Sequence, residues 1–106
     1  MSEPPANNIP EGFSRWDAAK TLQTDEDIVL YFQACLEEDP SDGSLIRAAL
    51  DDIARARGMS QLARETGLSR EGLYQALSAK GNPEFGTIMK VIRALGLKLN
   101  AEIARI

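Results

Sequence analysis

The chain has 106 residues, the length of one domain, with a formal net charge of −4, 43% hydrophobic residues and 26% charged residues. It has one cysteine and no histidine. A typical zinc site, an intramolecular disulfide and the commonest general base are therefore excluded. Catalysis by carboxylates alone or by lysine stays open in principle, but the sequence has no paired carboxylates in an apolar setting and no glycine-rich phosphate loop. We predict a protein that is not an enzyme and that uses no metal and no cofactor.

Membrane features are also missing from the sequence. No run of about 18 apolar residues is present, and residues 1–10 have neither a basic region nor an apolar stretch. The sequence therefore predicts a cytoplasmic protein with no membrane partner.

The charges are unevenly distributed along the chain. Residues 1–43 carry ten acidic and two basic side chains, whereas residues 44–106 carry ten basic and six acidic ones. Such asymmetry suggests two different partners, with phosphates facing the basic half and a basic protein facing the acidic half. On charge alone, a solvated acidic surface that keeps the chain in solution is equally consistent.

The N-terminal segment offers little regular pattern. Residues 1–12 contain three prolines and one glycine, which predicts a disordered tail. In residues 13–22 the large apolar side chains are Phe13, Trp16 and Leu22, and their spacing does not decide between a short strand and an irregular arm. Trp16 either anchors an interface or packs on the domain.

A helix is predicted from Thr24 to Glu38. Thr24 followed by Asp27 is typical of a capping box, and acidic side chains in the first turn suit the helix dipole. Pro40 disfavours helix in the residue before it, so residues 39–43 are the best linker candidate. The apolar positions follow helical spacing and are Ile28, Phe32, Cys35 and Leu36.

Four short helices are predicted in the basic half, separated by glycines. They cover residues 44–57, 60–66, 69 to about 79, and 84–95, and the last is expected to bury an apolar stripe that begins at Phe85. Asp51 and Asp52 are predicted to lie on a solvated helix face rather than to form a catalytic dyad. Residues 97–103 alternate apolar and polar side chains, which is typical of a half-buried strand.

Residues 60–77 have the spacing of a helix-turn-helix. Ala63 is small where the two helices would cross, and Gly67 tolerates the positive φ that the turn needs. A plain helical hairpin inside a bundle remains the alternative, because amphipathic helices separated by glycine are common. The leucines expected to fix the crossing angle are Leu62, Leu68, Leu73 and Leu77.

The outward face of the second helix favours DNA binding, since arginine and glutamine often read guanine and adenine in the major groove. Gly72 is a departure from this pattern, because glycine is costly inside a helix. The residues expected to read bases are Arg70, Glu71, Tyr74, Gln75 and Ser78. Those expected to contact phosphate are Ser60, Gln61, Arg64, Ser69, Lys80 and Asn82.

Five stretches carry a resemblance to known families, namely residues 13–17, 27–36, 53–71, 81–83 and 94–99. Residues 44–99 resemble lambda-repressor-like (Cro/repressor-type) helix-turn-helix domains. Almost the whole chain from Phe13 resembles the "addiction module antidote" antitoxins, HigA-like proteins encoded beside a RelE/ParE-superfamily toxin. The expected fold is mainly α: a lambda-repressor-like helix-turn-helix bundle with an N-terminal arm plus helix and a short C-terminal strand.

The resemblance implies an antitoxin that neutralises its toxin by direct binding and represses its own operon. A stand-alone repressor without a toxin and a purely structural adaptor are the alternatives. Residues 13–43 are then an acidic arm and helix that bind the toxin, and residues 44–106 are a DNA-binding and dimerisation domain. The expected toxin-binding residues are Phe13, Arg15, Trp16, Asp17, Leu22, Asp27 and Tyr31.

A homodimer on a palindromic operator is expected, because one recognition helix covers only a few base pairs and two-fold proteins read paired half-sites. A lone edge strand needs a partner, so the C-terminal strand is the candidate contact. Its residues on that face are Leu97, Leu99, Ala101 and Ile103.

Overall fold

The computed structural model describes residues 20–78 and 80–104, and this part of the chain is mainly helical, as predicted. In chain order the helices are α1 (Asp25–Glu38), α2 (Ser44–Arg57), α3 (Met59–Thr66), α4 (Arg70–Ala76) and α5 (Phe85–Ala94). None of these helices is long and apolar enough to cross a membrane.

All five helices contribute side chains to one hydrophobic core. α1 packs along α2, and α3 contacts α2, α4 and α5. The predicted linker at residues 39–43 therefore joins two parts of a single core, although the acidic half of the sequence ends there and the basic half begins. The largest fully buried side chains are Tyr31, Cys35, Leu45, Leu50, Ile53, Leu73 and Val91.

Two adjacent acidic side chains of α2 are buried in this core. Asp51 is 5% exposed and Asp52 is 3% exposed, so the prediction of a solvated face was wrong. The Tyr31 hydroxyl of α1 donates a hydrogen bond of 2.6 Å to Oδ2 of Asp52, and Nε of Arg55 donates one of 3.1 Å to Oδ2 of Asp51. Both carboxylates thus find partners inside the protein, as burial of a polar group requires.

Cys35 lies close to Tyr31 and Asp52 and is fully buried. Burial raises the pKa of its thiol to about 12, and the negative charge of Asp52 adds to the effect. A hydrogen bond with Tyr31 acts in the opposite direction. The thiol stays protonated and behaves as a small apolar group rather than as a nucleophile.

The start of α1 is the predicted capping box. Oγ1 of Thr24 accepts from the Asp27 backbone N–H at 3.1 Å, and the Asp27 carboxylate accepts from the Thr24 N–H at 3.2 Å. Two N–H groups that lack partners inside the helix are thereby satisfied.

The start of α2 is capped by a residue that the sequence analysis placed in a linker. Its N-cap Gly43 has no side chain, but the Asp39 carboxylate reaches across the loop. Asp39 accepts from the backbone N–H groups of Ser41, Gly43, Leu45 and Ile46, at 2.8 to 3.3 Å. Burial raises the pKa of Asp39, but the N–H donors outweigh it, so that the pKa lies below its ordinary value of 3.8.

Two predictions about helix ends require correction. α4 ends at Ala76 rather than near residue 79, because the Ser78 hydroxyl and N–H both donate to the Gln75 carbonyl and close the last turn. Phe85 does not begin a buried stripe: it is 75% exposed. It is the first residue of α5, and the residues that this helix buries, Val91 and Ile92, lie two turns further on.

The C-terminal segment begins at Gly96, which has a φ of +80° and closes α5 together with a 3.0 Å bond from the Leu97 N–H to the Ile92 carbonyl. Residues 97–104 then form no strand in the isolated chain, and the predicted short strand is not seen. A strand must exchange backbone hydrogen bonds with a neighbouring strand, and residues 20–78 and 80–104 offer none.

Replacing Asp39 with alanine should lower the free energy of unfolding by about 0.5–2 kcal/mol near neutral pH, because the N-terminus of α2 loses its cap. Since the folded-state pKa is depressed, this contribution is present above the unfolded pKa and disappears as the pH falls through the folded pKa. Urea unfolding at several pH values measures both effects. The control Glu37→Ala removes an exposed acid of α1 and should change stability by less than about 0.5 kcal/mol. A constant difference between wild type and Asp39→Ala down to low pH would contradict the assignment.

Candidate nucleic-acid interface

The turn between α3 and α4 is tight and is closed by a glycine, as the sequence predicts. Gly67 adopts a φ of +79°, and its N–H donates to the Ala63 carbonyl at 3.0 Å. Ala63 is 7% exposed and Leu73 is fully buried, so both residues lie in the core, as predicted. A side chain at Gly67 would be strained, because L-residues rarely adopt this φ.

Thr66 strengthens this turn, and the sequence analysis did not single it out. Its hydroxyl donates to the Leu62 carbonyl at 2.9 Å and accepts from the Leu68 N–H at 3.3 Å. A threonine as the last residue before a helix-ending glycine was the available signal, since such hydroxyls often bond the carbonyl four residues earlier.

α4 begins with a side-chain cap that accounts for Gly72. Oγ of Ser69 accepts from the Gly72 N–H at 2.9 Å. A Cβ atom on Gly72 would lie 3.1 Å from that oxygen, which is tighter than ordinary contact. Glycine therefore lets the cap approach closely, although it lowers the intrinsic helix stability of α4.

The outward face of α4 consists largely of the residues predicted to read bases. Leu73 and Leu77 are buried, Tyr74 is half-buried, and the remaining members of the predicted set are exposed. These exposed residues are Arg70, Glu71, Gln75 and Ser78. The helix therefore presents a polar face about two turns long, while its apolar face fixes its orientation.

The residues predicted to contact phosphate lie on two sides of α4. Ser60, Gln61 and Arg64 are exposed on α3, where Nε2 of Gln61 donates to the Glu65 carboxylate at 3.1 Å. Ser69, Lys80 and Asn82 are exposed before and after α4. An open cleft of about 510 Å³ lies between α4 and the start of α5, and its lining includes Gln75, Ser78, Lys80 and Asn82.

The segment after α4 approaches the helix end so closely that it needs a glycine. A Cβ atom on Gly81 would lie 2.5 Å from the Gln75 carbonyl oxygen and 2.9 Å from that of Ala76. The Gly81 N–H also donates to the Ser78 carbonyl at 3.0 Å. Lys80 and Asn82 are thus held at a fixed place beside α4.

Tyr74 of α4 lies near two arginines. The guanidinium carbon of Arg55, from α2, is 5.0 Å from the centre of its ring, and that of Arg70 is 5.9 Å away. Nη2 of Arg70 is also 3.5 Å from the Tyr74 hydroxyl oxygen. These contacts connect α4 to α2.

Over residues 20–78 and 80–104, no group of three or more histidine, cysteine, aspartate or glutamate side chains is arranged to hold a metal ion. The exposed face of α4 offers hydrogen-bond donors and acceptors on a short helix.

Comparison with known proteins adds to this geometry. Residues 12–103 match the family described as "Probable addiction module antidote protein". The chain belongs to this antidote family. An uncharacterized protein of Haemophilus influenzae is 50% identical to it over 97 residues, which cover 92% of this chain and 98% of the relative. No solved structure matches the chain.

The predicted toxin-binding residues of this antidote-family member are not all on its surface. Leu22 is 4% exposed and Tyr31 is 1% exposed, because both pack into the core. Asp27 is half-buried within the α1 capping box. Phe13, Arg15, Trp16 and Asp17 lie outside the described residues.

Exposed apolar side chains on α1 were missed by the sequence analysis. Val29 is 48% exposed and Leu30 is 62% exposed, and exposed Glu26, Gln33 and Glu37 lie on the same helix. The helical spacing of Ile28 and Phe32 was the available signal, since it directs Leu30 away from the core.

The residues predicted for dimerisation are partly exposed. Leu99 is 40% exposed and Ile103 is 73% exposed, whereas Leu97 is half-buried against the core. Ala101 is exposed as well. A cleft of about 830 Å³ runs between this segment and α1, and a second cleft of about 350 Å³ connects it to Phe85.

Proposed function

We propose that the chain is the antitoxin of a type II toxin–antitoxin module, acting in the cytoplasm without a cofactor or catalytic activity. In this proposal it binds its toxin directly and represses its own operon as a DNA-binding dimer. The single observation that carries the DNA-binding part is the exposed polar face of α4, presented beyond a tight turn. Membership in the antidote family supports the toxin-binding part.

α4 is proposed to enter the major groove, with Arg70 and Gln75 as the main base readers. Arginine pairs with two acceptors of guanine and glutamine with a donor and an acceptor of adenine. Glu71 is exposed on α4, and Ser78 is exposed just beyond the end of that helix. Their contacts, like those of Tyr74, would depend on the register of the helix in the groove.

Phosphate contacts are proposed on both sides of α4. The set comprises Ser60, Gln61, Arg64, Ser69, Lys80 and Asn82. These residues would orient the protein on the double-stranded operator and give the salt dependence that is typical of phosphate contacts.

Arg70→Ala should cost about 1–3 kcal/mol of binding free energy on the operator and relax the preference at one base position. Lys80→Ala, as the matched phosphate variant, should weaken all duplexes alike and lower the salt slope by about 1. Electrophoretic shifts on DNA from upstream of the chain's own gene, with single-base changes, measure both effects. An Arg70→Ala protein with an unchanged base preference would show that the proposed register is wrong.

The toxin is proposed to dock on the acidic segment, residues 13–38, and to belong to the RelE/ParE superfamily. The acidic side chains would speed association with a basic partner, while apolar side chains would supply most of the binding energy. Phe13 and Trp16 remain the proposed anchors. The exposed Leu30 extends the proposed surface onto α1.

Leu30→Lys places a cation in this acidic surface at a solvent-exposed position, so the fold should be kept. The affinity for the toxin should fall by about tenfold or more, as at an interface anchor, while operator binding stays unchanged. Growth rescue on co-expression with the neighbouring gene product, together with calorimetry, measures this. Glu65→Gln makes the same change in net charge at an exposed position of α3, outside residues 13–38, and should leave rescue intact. If the neighbouring product needs no neutralisation, the stand-alone repressor becomes the better proposal.

Dimerisation is proposed through the apolar surface around the C-terminal segment. Its exposed members come from three parts of the chain and are Val29, Leu36, Phe85, Leu99 and Ile103. Leu36 and Leu99 line both clefts of this surface, which makes it continuous. Pairing of residues 97–103 with the same segment of a second copy would create the predicted strand and bury this surface.

Phe85→Asp should convert a dimer into a monomer. Phe85 is the first residue of α5, where an acidic side chain suits the helix dipole, so loss of the dimer would not reflect loss of the helix. Light scattering at micromolar concentration reads the mass directly. Glu84→Ala, at the adjacent exposed position, is the control. A monomer mass for wild type, with and without DNA, would rule out the dimer.

A further inference from the structure

Tyr74 has surroundings unlike those of the other residues on the exposed face of α4. Its ring is half-buried and packs against the core, and two guanidinium groups lie within 6 Å of its centre. A cation at this distance from an aromatic ring is attracted by the electron density of the ring face. The Tyr74 ring is therefore anchored against the core and lies next to two cations.

Arg55 is fixed independently of Tyr74. Its Nε donates at 3.1 Å to the carboxylate of Asp51, whose side chain is only 8% exposed, whereas that of Arg55 is 52% exposed. A buried carboxylate one turn earlier on the same helix leaves the arginine few alternative positions. The Arg55 guanidinium that contacts Tyr74 is therefore held in place by a buried carboxylate of its own helix.

Arg70 is the second arginine near the Tyr74 ring. It is an exposed residue in the first turn of α4, and its guanidinium lies 5.9 Å from the Tyr74 ring centre and 3.5 Å from the hydroxyl oxygen. An exposed arginine normally samples many rotamers, and binding must then immobilise it at an entropic cost. Contact with an anchored ring reduces that cost before any ligand arrives.

We propose that Tyr74 and Arg55 are positioning residues that hold the Arg70 guanidinium for base reading. This inference rests on the proposed DNA-binding function of α4. In this proposal Asp51 orients Arg55, and Arg55 orients the Tyr74 ring. The ring in turn positions the guanidinium group of Arg70. A bidentate contact with guanine demands a defined guanidinium plane, so the series contributes to sequence preference rather than to general affinity.

The test compares a duplex from upstream of the chain's own gene with a scrambled duplex of equal length. Arg55→Gln keeps a side chain that can bond Asp51 but removes the cation from the ring. The ratio of specific to scrambled affinity should fall by about 3- to 10-fold, the cost of ordering a freed side chain. Tyr74→Leu should have the same effect, whereas Tyr74→Phe, which keeps the ring, should retain most of the preference.

Two controls separate positioning from other roles. Arg57→Gln removes the same charge from the same helix, at a residue that pairs with Asp25, and should leave the ratio unchanged. In an Arg70→Ala background, Arg55→Gln should have no further effect on the ratio, because its action passes through Arg70. An additive loss in that background would overturn the proposal. So would an equal loss on both duplexes with a smaller salt slope, which would indicate a direct phosphate contact of Arg55.

A measurement without DNA keeps this inference separable from the proposed function. In the free full-length chain, ¹⁵N relaxation of the Arg70 Nε–H group should report an ordered side chain that becomes mobile in Arg55→Gln. Unchanged mobility overturns the positioning role even if wild type binds its operator. A wild type without preference for its own upstream DNA overturns the proposed DNA-binding function, whatever the relaxation shows.

Discussion

The buried carboxylates of Asp51 and Asp52 are the constraint on which the rest of the structure depends. Consecutive residues of a helix point in directions about 100° apart, so these two side chains face different neighbours. Asp52 accepts from Tyr31 and fixes α1 against α2. Asp51 accepts from Arg55, which contacts α4 through Tyr74. Two consecutive residues of α2 therefore connect α1 with α4.

The fold also bears on how an acidic chain could bind DNA as proposed. Four of the sixteen acidic side chains illustrate how negative charge is engaged in structural contacts. Asp51 and Asp52 lie in the core, Asp39 accepts backbone N–H groups, and Asp25 pairs with Arg57 at 2.6 Å. Net charge therefore says little about the field at one surface, which depends on where the uncompensated charges lie.

Local signals in the sequence predicted local structure well. The capping box at Thr24 and the positive φ at Gly67 are formed as expected, because each depends on residues a few positions apart. The pairing of Tyr31 with Asp52 spans 21 residues, and no periodicity reveals it. The burial of Tyr31 and Asp52 could therefore not be predicted from the sequence. The same holds for the exposure of Phe85, because both depend on how each helix is placed against the shared core.

The tight contact at Gly81 has a consequence for the proposed DNA-binding face. Because the backbone after α4 lies against the last carbonyls of that helix, a side chain at position 81 would push the loop bearing Lys80 away from α4. Exchanging only the side chains of α4 would leave this loop geometry unchanged. Under the proposed function, a transplant of operator preference between relatives should therefore take residues 69–83 as a single block, with the glycine included.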